Sequence, residues 1–553
     1  MSLTIQHAFD VGKYYLANVR IYHAAILISG YICYRALYRI VLWPCLLSPL
    51  RHLPGPPTGN PLIGQWRAIV HKEAGIPQRE WVKKYGPVVS AVGPIGVERL
   101  IFTKPEALHR ILVSGWLECP RPSFLKNILG LVAGYGLLTV TGNEHKQMRK
   151  AMNPAFSIPN LMAQTDMYYD SIESLIDILR SEVNAERDPA KGKEILMYDW
   201  MSKVTLDIIC ETAFGYKPDS LHNPHNELAE AYENLIDLQS GPNIARFILL
   251  VIIPGFPYLL ASQWGYNHRH WFEKIPILRP AAILMDSMHR IKTISRQMLA
   301  EKTADLAVAA SDTEAKRDIM SLLVRARTAD KGEGYQMSDT AMMDQVLTFL
   351  GAGHETTASG LAWTLWLLAN DTAAQDKLRH EVSAILANNP RPDYRTLKDL
   401  QWLDCVVMES LRVLPPVPMT VRKAAENQSI DGTFVPKGTL LYIPIRVVNT
   451  WKEIWGEDAE EFRPERWLNL PKEYNSTFSL LSFIAGPHAC IGKTMAIMEM
   501  KAILAGIIAK FAFEPAYVGQ VAKPTAAITM KPADGMPLRV RCVAPTPVAS
   551  MAL

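Results

Sequence analysis

The chain is 553 residues long and carries 58 Lys+Arg against 54 Asp+Glu, a formal net charge of +4. So small a balance gives no footing for nucleic-acid binding, while 49% apolar residues supply core enough for one very large domain or several ordinary ones. The cysteines, Cys33, Cys45, Cys119, Cys210, Cys405, Cys490 and Cys542, are odd in number and form no CxxC pair, which argues against a disulfide framework and against a zinc or iron–sulfur site; reduced thiols facing the cytosol fit best.

Residues 21–34, IYHAAILISGYICY, are nearly all apolar, with Arg35 and Arg39 following before IVLWPCLLSPL. The uninterrupted run falls short of the ~20 residues a spanning helix needs, and snorkelling by Arg35 extends it toward Leu42. We read residues 1–50 as a membrane-anchor region, with an interfacial or a buried helix as alternatives. A cleaved signal peptide is disfavoured, because the run starts late and no small-x-small site follows it closely. Lys13 and Arg20 precede the run and Arg35, Arg39 and Arg51 follow it, a small bias toward a body on the cytoplasmic side. Residues 51–64 form a hinge: Pro54, Pro56, Pro57 and Pro61 in LPGPPTGNPLIG cannot continue a helix and make a stiff spacer. An ordinary proline-rich linker accounts for that stretch equally well.

From residue 65 to 553 no repeat, low-complexity block or dividing linker occurs. Residues 80–103 hold β-rich pieces, PVVSAVG and VERLIFT. Most of 143–385 reads as helix, broken at 184–194, around Pro254 to Pro257, and at 327–339. The apolar stretch 243–260 is interrupted by Pro254 and Pro257 and is not a membrane span. After 413 the texture turns to short strands, with a hairpin expected around Asp431-Gly432 and a turn at Pro436-Lys437-Gly438. Sequons begin at Asn370, Asn427 and Asn475 and stay unmodified if the body is cytosolic. The body reads as mainly α with small β-sheets.

One helix is expected from Thr340 to about Asn370, capped by Asp339 and roughly 45 Å long. Gly351, Gly353 and Gly360 each cost it about 1 kcal/mol relative to alanine. As a second membrane helix it would carry His354 and Glu355 in hydrocarbon at high cost. It therefore reads as a helix buried in protein, bent where something sits beside it. Further on, Glu409 and Arg412 share a helix face. Their flanks Val406, Val407, Met408, Leu411 and Leu414 imply burial, and a buried pair needs further partners. Arg466, in EFRPERW, has the planar fork to complete a structural triad.

FIAGPHACIG (483–492) sets Cys490 before a helix expected from Ile491, where the dipole and free backbone N–H groups favour a thiolate. Gly486 and Gly492 allow tight turns and close approach to a flat partner, and Phe483 offers an aromatic plane. A nucleophilic cysteine would want His488 as its base. A thiolate serving as axial ligand of haem iron would want the glycine-lined loop, N–H donors to sulfur and a cation near the propionates.

FxxGxxxCxG at 483–492, together with AGHETT at 352–357, ExxR at 409–412 and FRPERW at 462–467, resembles the cytochrome P-450 family in the family's own order. The resemblance covers essentially the whole chain. The proline-rich membrane elbow is similar to that of eukaryotic microsomal members, and the general style resembles fungal ones. The resemblance implies a cytochrome P-450 fold, a single large domain behind an N-terminal anchor. It implies Cys490 as proximal ligand of haem b (iron-protoporphyrin IX), with Glu409, Arg412 and Arg466 as the buried triad behind it. Ala352 and Gly353 would border the oxygen pocket, and Glu355 and Thr356 would organise proton delivery. Arg149, in EHKQMRKAMNPAF, would reach a haem propionate, and Arg422 matches a further propionate position. Two positions depart from the family: His145 stands where tryptophan is frequent, and His488 where arginine is usual. His488 still has an N–H to donate, though neutrality at pH 7 is open to it.

The implied function is a haem-dependent monooxygenase that inserts one atom of dioxygen into a hydrophobic organic substrate: a terpenoid, steroid, polycyclic aromatic, fatty acid or similar xenobiotic. The chain shows no flavin or nicotinamide module, so electrons would come from NADPH through a membrane-bound NADPH–cytochrome P-450 reductase. The implied location is the endoplasmic reticulum membrane, with the catalytic domain facing the cytosol. Lys146, Lys150 and Arg149 would offer the reductase a basic face, unless they are merely a solvated surface. Residues 115–137 and 243–260 would supply pocket walls or membrane contacts. The alternatives are a haem-thiolate isomerase or peroxygenase, which the Glu355–Thr356 pair disfavours, a non-enzymatic haem-binding sensor or carrier, and a cysteine hydrolase built on Cys490 and His488.

Overall fold

Helix forms wherever apolar residues recur every three to four positions, and strands are confined to short alternating runs. The computed structural model describes residues 2–223, 225–238, 241–308, 318–329, 337–525 and 528–543. The break expected at 327–339 lies in part outside the described residues.

Among the described residues nine strands form three small sheets: β1 (Val88–Val92), β2 (Glu98–Phe102), β3 (Lys193–Leu196), β4 (Thr420–Lys423), β5 (Gln428–Ile430), β6 (Thr433–Val435), β7 (Leu440–Ile443), β8 (Phe511–Pro515) and β9 (Pro537–Cys542). The largest runs β1-β2-β7-β4, with β2 and β7 parallel and the other pairs antiparallel. Sheet β3-β9-β8 joins the middle of the chain to its end. The expected hairpin is β5–β6, turned by Asp431 (φ 46°) and Gly432 (φ 72°), the left-handed pair that a two-residue hairpin loop demands.

Eight helices carry the site and its support: α1 (Ser2–Leu37), α2 (Ser123–Ala133), α3 (Gly142–Met152), α4 (Met197–Phe214), α5 (Glu227–Leu238), α6 (Asp339–Asn370), α7 (Gln401–Val413) and α8 (Lys493–Ile508). Helix α1 passes into a π-helical segment, Tyr38–Leu47. Ile21–Leu47 is thus one apolar helical stretch of 27 residues, long enough to cross a membrane by length and composition. Its end is seated on the body. The indole of Trp43 donates to Glu98 at 2.8 Å, and the Arg39 carbonyl lies against Gly96 in the β1–β2 turn. The proline-rich hinge is also docked: Ser90 N–H donates to the Pro54 carbonyl at 2.9 Å. The interruption at 243–260 is real, with helices Gly241–Ile252 and Phe256–Ala261 meeting at Gly255 (φ 82°).

Helix α6 differs from expectation in two ways. Its cap is Ser338, whose hydroxyl accepts from Ala341 N–H at 3.1 Å; Asp339 is already helical and complements the dipole from the first turn. No interruption marks the expected bend, since α6 is helical throughout its 32 residues. Its glycines instead seat neighbours: a Cβ on Gly353 would fall 2.7 Å from Ile209 of α4, and one on Gly360 3.2 Å from Met500 of α8. The small residues therefore answer to helix–helix crossings. Helix α8 begins at Lys493 rather than Ile491, because Ile491 and Gly492 form a turn.

Candidate functional site

Cys490 is carried on a loop whose height is set from below. Asn449 accepts from Leu481 N–H at 2.7 Å and donates to Ser482 Oγ at 2.8 Å. Ser482 in turn donates to the Leu411 carbonyl of α7 at 2.7 Å. The loop closes on itself where Cys490 N–H donates to the Phe483 carbonyl at 2.9 Å. Gly486 sits at φ 76° with its Cα backed onto the Leu112 carbonyl, so only glycine fits. It serves close approach by the protein's own backbone at Leu112. Gly492, at φ −87° and with a Cβ position in ordinary contact with Phe156 at 3.9 Å, has no such requirement.

The backbone N–H of Gly492 acts electrostatically on the sulfur. Burial pushes the Cys490 thiol up, while that N–H, Arg149 and Lys493 pull it down. The sulfur has accessible surface, yet desolvation dominates its environment, so the surface opens on an internal hollow rather than on the exterior. On α6, Ala352 and Thr356 lie one turn apart and are both half-buried, Thr356 standing between buried Glu355 and Thr357. Gly360, one turn beyond Thr356, packs on Met500 of α8, so α6 and the cysteine-bearing segment frame the hollow together. Thr356 donates to the Ala352 carbonyl at 2.9 Å. Glu355 is buried and accepts from the Thr529 hydroxyl; burial pushes its carboxyl up, and Thr529 and Lys531 pull it down.

A cluster of cations and imidazoles gathers beside the cysteine loop. Arg149 of α3 donates to the Ala489 carbonyl at 2.5 Å. Arg422 of β4 is buried and donates to Thr420 Oγ1 and the Val421 carbonyl, both at 3.0 Å. Arg121 contacts His488 Nδ1 at 3.2 Å; a guanidinium only donates, so that nitrogen accepts. The His145 and His488 rings lie 4.0 Å apart, with Trp116 5.3 Å from His488. Burial, then the arginines, lower His488 to about 2 and His145 to about 4, so both are neutral near pH 7. Burial likewise lowers Arg121 to about 10 and Arg422 to about 9. Among the described residues none of Arg121, Arg149 and Arg422 has a carboxylate partner, and His145 Nδ1 is buried without any partner. Cations gathered in this way call for an anion. His488 faces Arg121 and His145 and makes no hydrogen bond with Cys490, which removes the support for a cysteine hydrolase.

Behind the loop the expected triad is assembled. Arg412 and Glu409, both fully buried, form a two-pronged pair at 2.7 Å per prong. Arg412 also donates to the Asn449, Ala459 and Glu461 carbonyls. Arg466 lies 3.3 Å from Glu409 and donates to the Trp455 carbonyl at 2.9 Å. Two further donors complete the carboxylate, Trp467 Nε1 at 3.0 Å and Arg463 N–H at 2.9 Å. A separate cavity of about 190 Å³, between Tyr216, Leu228 and Met298, contains none of these residues.

Sequence reading missed Arg121, Trp116, Asn449 and Thr529. An arginine locked between two prolines, Pro120 and Pro122, was a signal for the first; the others carry none that spacing reveals.

A flat iron porphyrin with two carboxylates fits these surroundings: an enclosed cysteine, three arginines lacking carboxylate partners and an imidazole nitrogen without a partner. Fold and site together define a haem-thiolate protein. The cytochrome P450 family pattern matches residues 54–537, and the chain belongs to that family. It is 34% identical to cytochrome P450 monooxygenase 205 of Postia placenta, over 84% of this chain and 87% of that one. It is 31% identical to cytochrome P450 monooxygenase sphH of Aspergillus fumigatus, over 94% and 93%. Ganoderic acid synthetase CYP5150L8 of Ganoderma lucidum is 28% identical, over 89% and 92%. The chain is accordingly a cytochrome P450 monooxygenase by family, mainly helical with small sheets, and the family's cofactor is haem iron.

Proposed function

We propose that Cys490 is the proximal ligand of haem b and that the protein inserts one oxygen atom from dioxygen into a hydrophobic organic substrate. The observation that carries this is Cys490 on its glycine-bearing loop, flanked by arginines that have no carboxylate partner among the described residues. When bound there, thiolate-ligated haem supplies O–O bond cleavage. Arg121, Arg149 and Arg422 hold the two propionates as fixed charges, and His488 adds a neutral N–H donor from Nε2. The triad Glu409–Arg412–Arg466 holds the loop through Asn449. Burial favours the neutral form of the Glu355 carboxyl, which suits it to deliver a proton, and the Thr356 hydroxyl stands at the half-exposed face where oxygen is handled.

The apolar walls support a lipophilic substrate of the terpenoid, steroid or polycyclic type: Ile128, Leu131 and Phe349 are buried around α2 and α6. The absence of flavin and nicotinamide motifs supports an external NADPH-dependent reductase. Lys146 and Lys150, exposed beside Arg149, are suited to an acidic partner face. The apolar helix Ile21–Leu47 supports an anchor in the endoplasmic reticulum membrane, with the body in the cytosol.

Membranes holding the full chain and a reductase, given a panel of lipophilic compounds, should yield products heavier by one oxygen, dependent on NADPH. The variant Cys490→Ala should lose the thiolate-type carbon-monoxide difference band. Retention of that band by Cys490→Ala overturns the ligand assignment, and NADPH-independent turnover overturns the monooxygenase reading.

A further inference from the structure

Glu355 is buried, so a proton it gives up must be replaced through protein. A chain of polar groups leads from it to the surface. Thr529, on the segment before β9, donates its hydroxyl proton to Glu355 Oε1. Two residues further on, Lys531 pairs with Asp237 of α5 at 2.9 Å, its own side chain 12% exposed and that of Asp237 64% exposed. The Lys531 ammonium lies 5.8 Å from the ring centre of Tyr198 in α4. Tyr198 faces Glu355 electrostatically. Its hydroxyl and that of Ser359, one turn after Glu355, are buried beside each other. The further charged groups that act on this path are Asp199 and Lys203 of α4 and Glu233 of α5.

The geometry points to Lys531 as the proton shuttle that resupplies Glu355, with Asp237 as its contact to solvent. This rests on Glu355 being the proton donor described above. Lys531 passes a proton to the Thr529 oxygen as the Thr529 hydroxyl proton moves to the Glu355 carboxylate. Neutral Lys531 then regains a proton from water at Asp237. One proton crosses from solvent to Glu355, and no electrons move. The four-carbon stem of lysine allows the swing, and the exposure of Asp237 makes the resting ion pair weak enough to break. A purely structural pair would need only the positive charge.

Arginine separates these roles, since it keeps the charge and cannot release a proton. Full-length protein with reductase is compared as wild type, Lys531→Arg, Lys531→Met and Glu355→Gln. Haem content and the carbon-monoxide band serve as folding controls. Both lysine variants should lose product formed per NADPH on the order of tenfold, the low end of what a positioned proton donor contributes, with hydrogen peroxide rising to match. The second readout is infrared titration of the resting protein, following the protonated-carboxyl band that Glu355→Gln removes. In Lys531→Met that band should persist to higher pH, because a cation that favours the carboxylate is gone; in Lys531→Arg it should not move. Normal coupling in Lys531→Arg overturns the shuttle. Normal coupling in the lysine variants together with uncoupling in Glu355→Gln overturns the route alone, whereas normal coupling in Glu355→Gln overturns the relay reading beneath it.

Discussion

Replacing Glu409 by glutamine removes the one negative charge that Arg412 and Arg466 share. Arg412 is fully buried and draws both of its prongs to that carboxylate at 2.7 Å. Leaving a buried cation without its counter-charge costs about 3–5 kcal/mol. Glutamine keeps one acceptor for Trp467 or Arg463, so the lower half of that range applies, about 3–4 kcal/mol. An unfolding entropy of about 2.1 cal/mol/K per residue over 553 residues is about 1.2 kcal/mol/K. The expected drop in Tm is therefore about 3 °C, small on a thermometer though a large part of a typical folding stability of about 5–15 kcal/mol. The assay is thermal unfolding of detergent-solubilised full-length protein, with recovered haem measured on the same samples, because Asn449 ties the triad to the cysteine loop. A Tm within 1 °C of wild type with full haem recovery would show that the triad neither stabilises the body nor holds the loop.

The glycines of the cysteine loop should separate cleanly. Gly486→Ala meets both a left-handed φ and the Leu112 carbonyl and should lower haem recovery severely, while Gly492→Ala should change stability by less than about 0.5 kcal/mol; equal effects would refute the assignment of roles. Gly353→Ala drives a methyl into Ile209 and should cost about 1–3 kcal/mol in thermal unfolding. His354 is buried, with burial lowering it from 6.5 to about 4. The unfolded chain takes up that proton first, so the stability contribution is whole above pH 6.5 and falls away toward pH 4. That amounts to about 3 kcal/mol at about 1.4 kcal/mol per unit, and His354→Gln should flatten stability against pH in that window. Thr356→Ala should keep its haem and shift reducing equivalents to hydrogen peroxide, measured as peroxide per NADPH; unchanged coupling removes Thr356 from the proton path.

What could be read from sequence was what repeats at short range. Glu409 and Arg412 are three residues apart on one apolar helix, and Asp431-Gly432 is a two-residue turn, so local geometry alone placed them. The cation cluster was only half legible. Arg149, Arg422 and His488 stood in motifs, but Arg121 joins them from a loop that no periodicity marks. The glycines of α6 suggested a bend because their cost was visible and their neighbours were not; Ile209 and Met500 lie far away along the chain. Ser338 was passed over as cap because Asp339, one place on, is an equally good capping type. Helix α8 starts two residues later than expected for a similar reason, a two-residue turn that hydrophobic pattern does not resolve.

The docking of the membrane-proximal chain onto the β1–β2 turn, through Trp43–Glu98 and Pro54–Ser90, turns an apparent tether into a bracket. A bracket transmits tilt: were the apolar rod to stand in lipid, its angle would dictate which flank of the globule looks at the bilayer and which looks at the aqueous phase. Loosening those two hydrogen bonds would leave the chemistry of the pocket untouched while letting the whole enzyme swivel relative to the surface from which greasy molecules arrive.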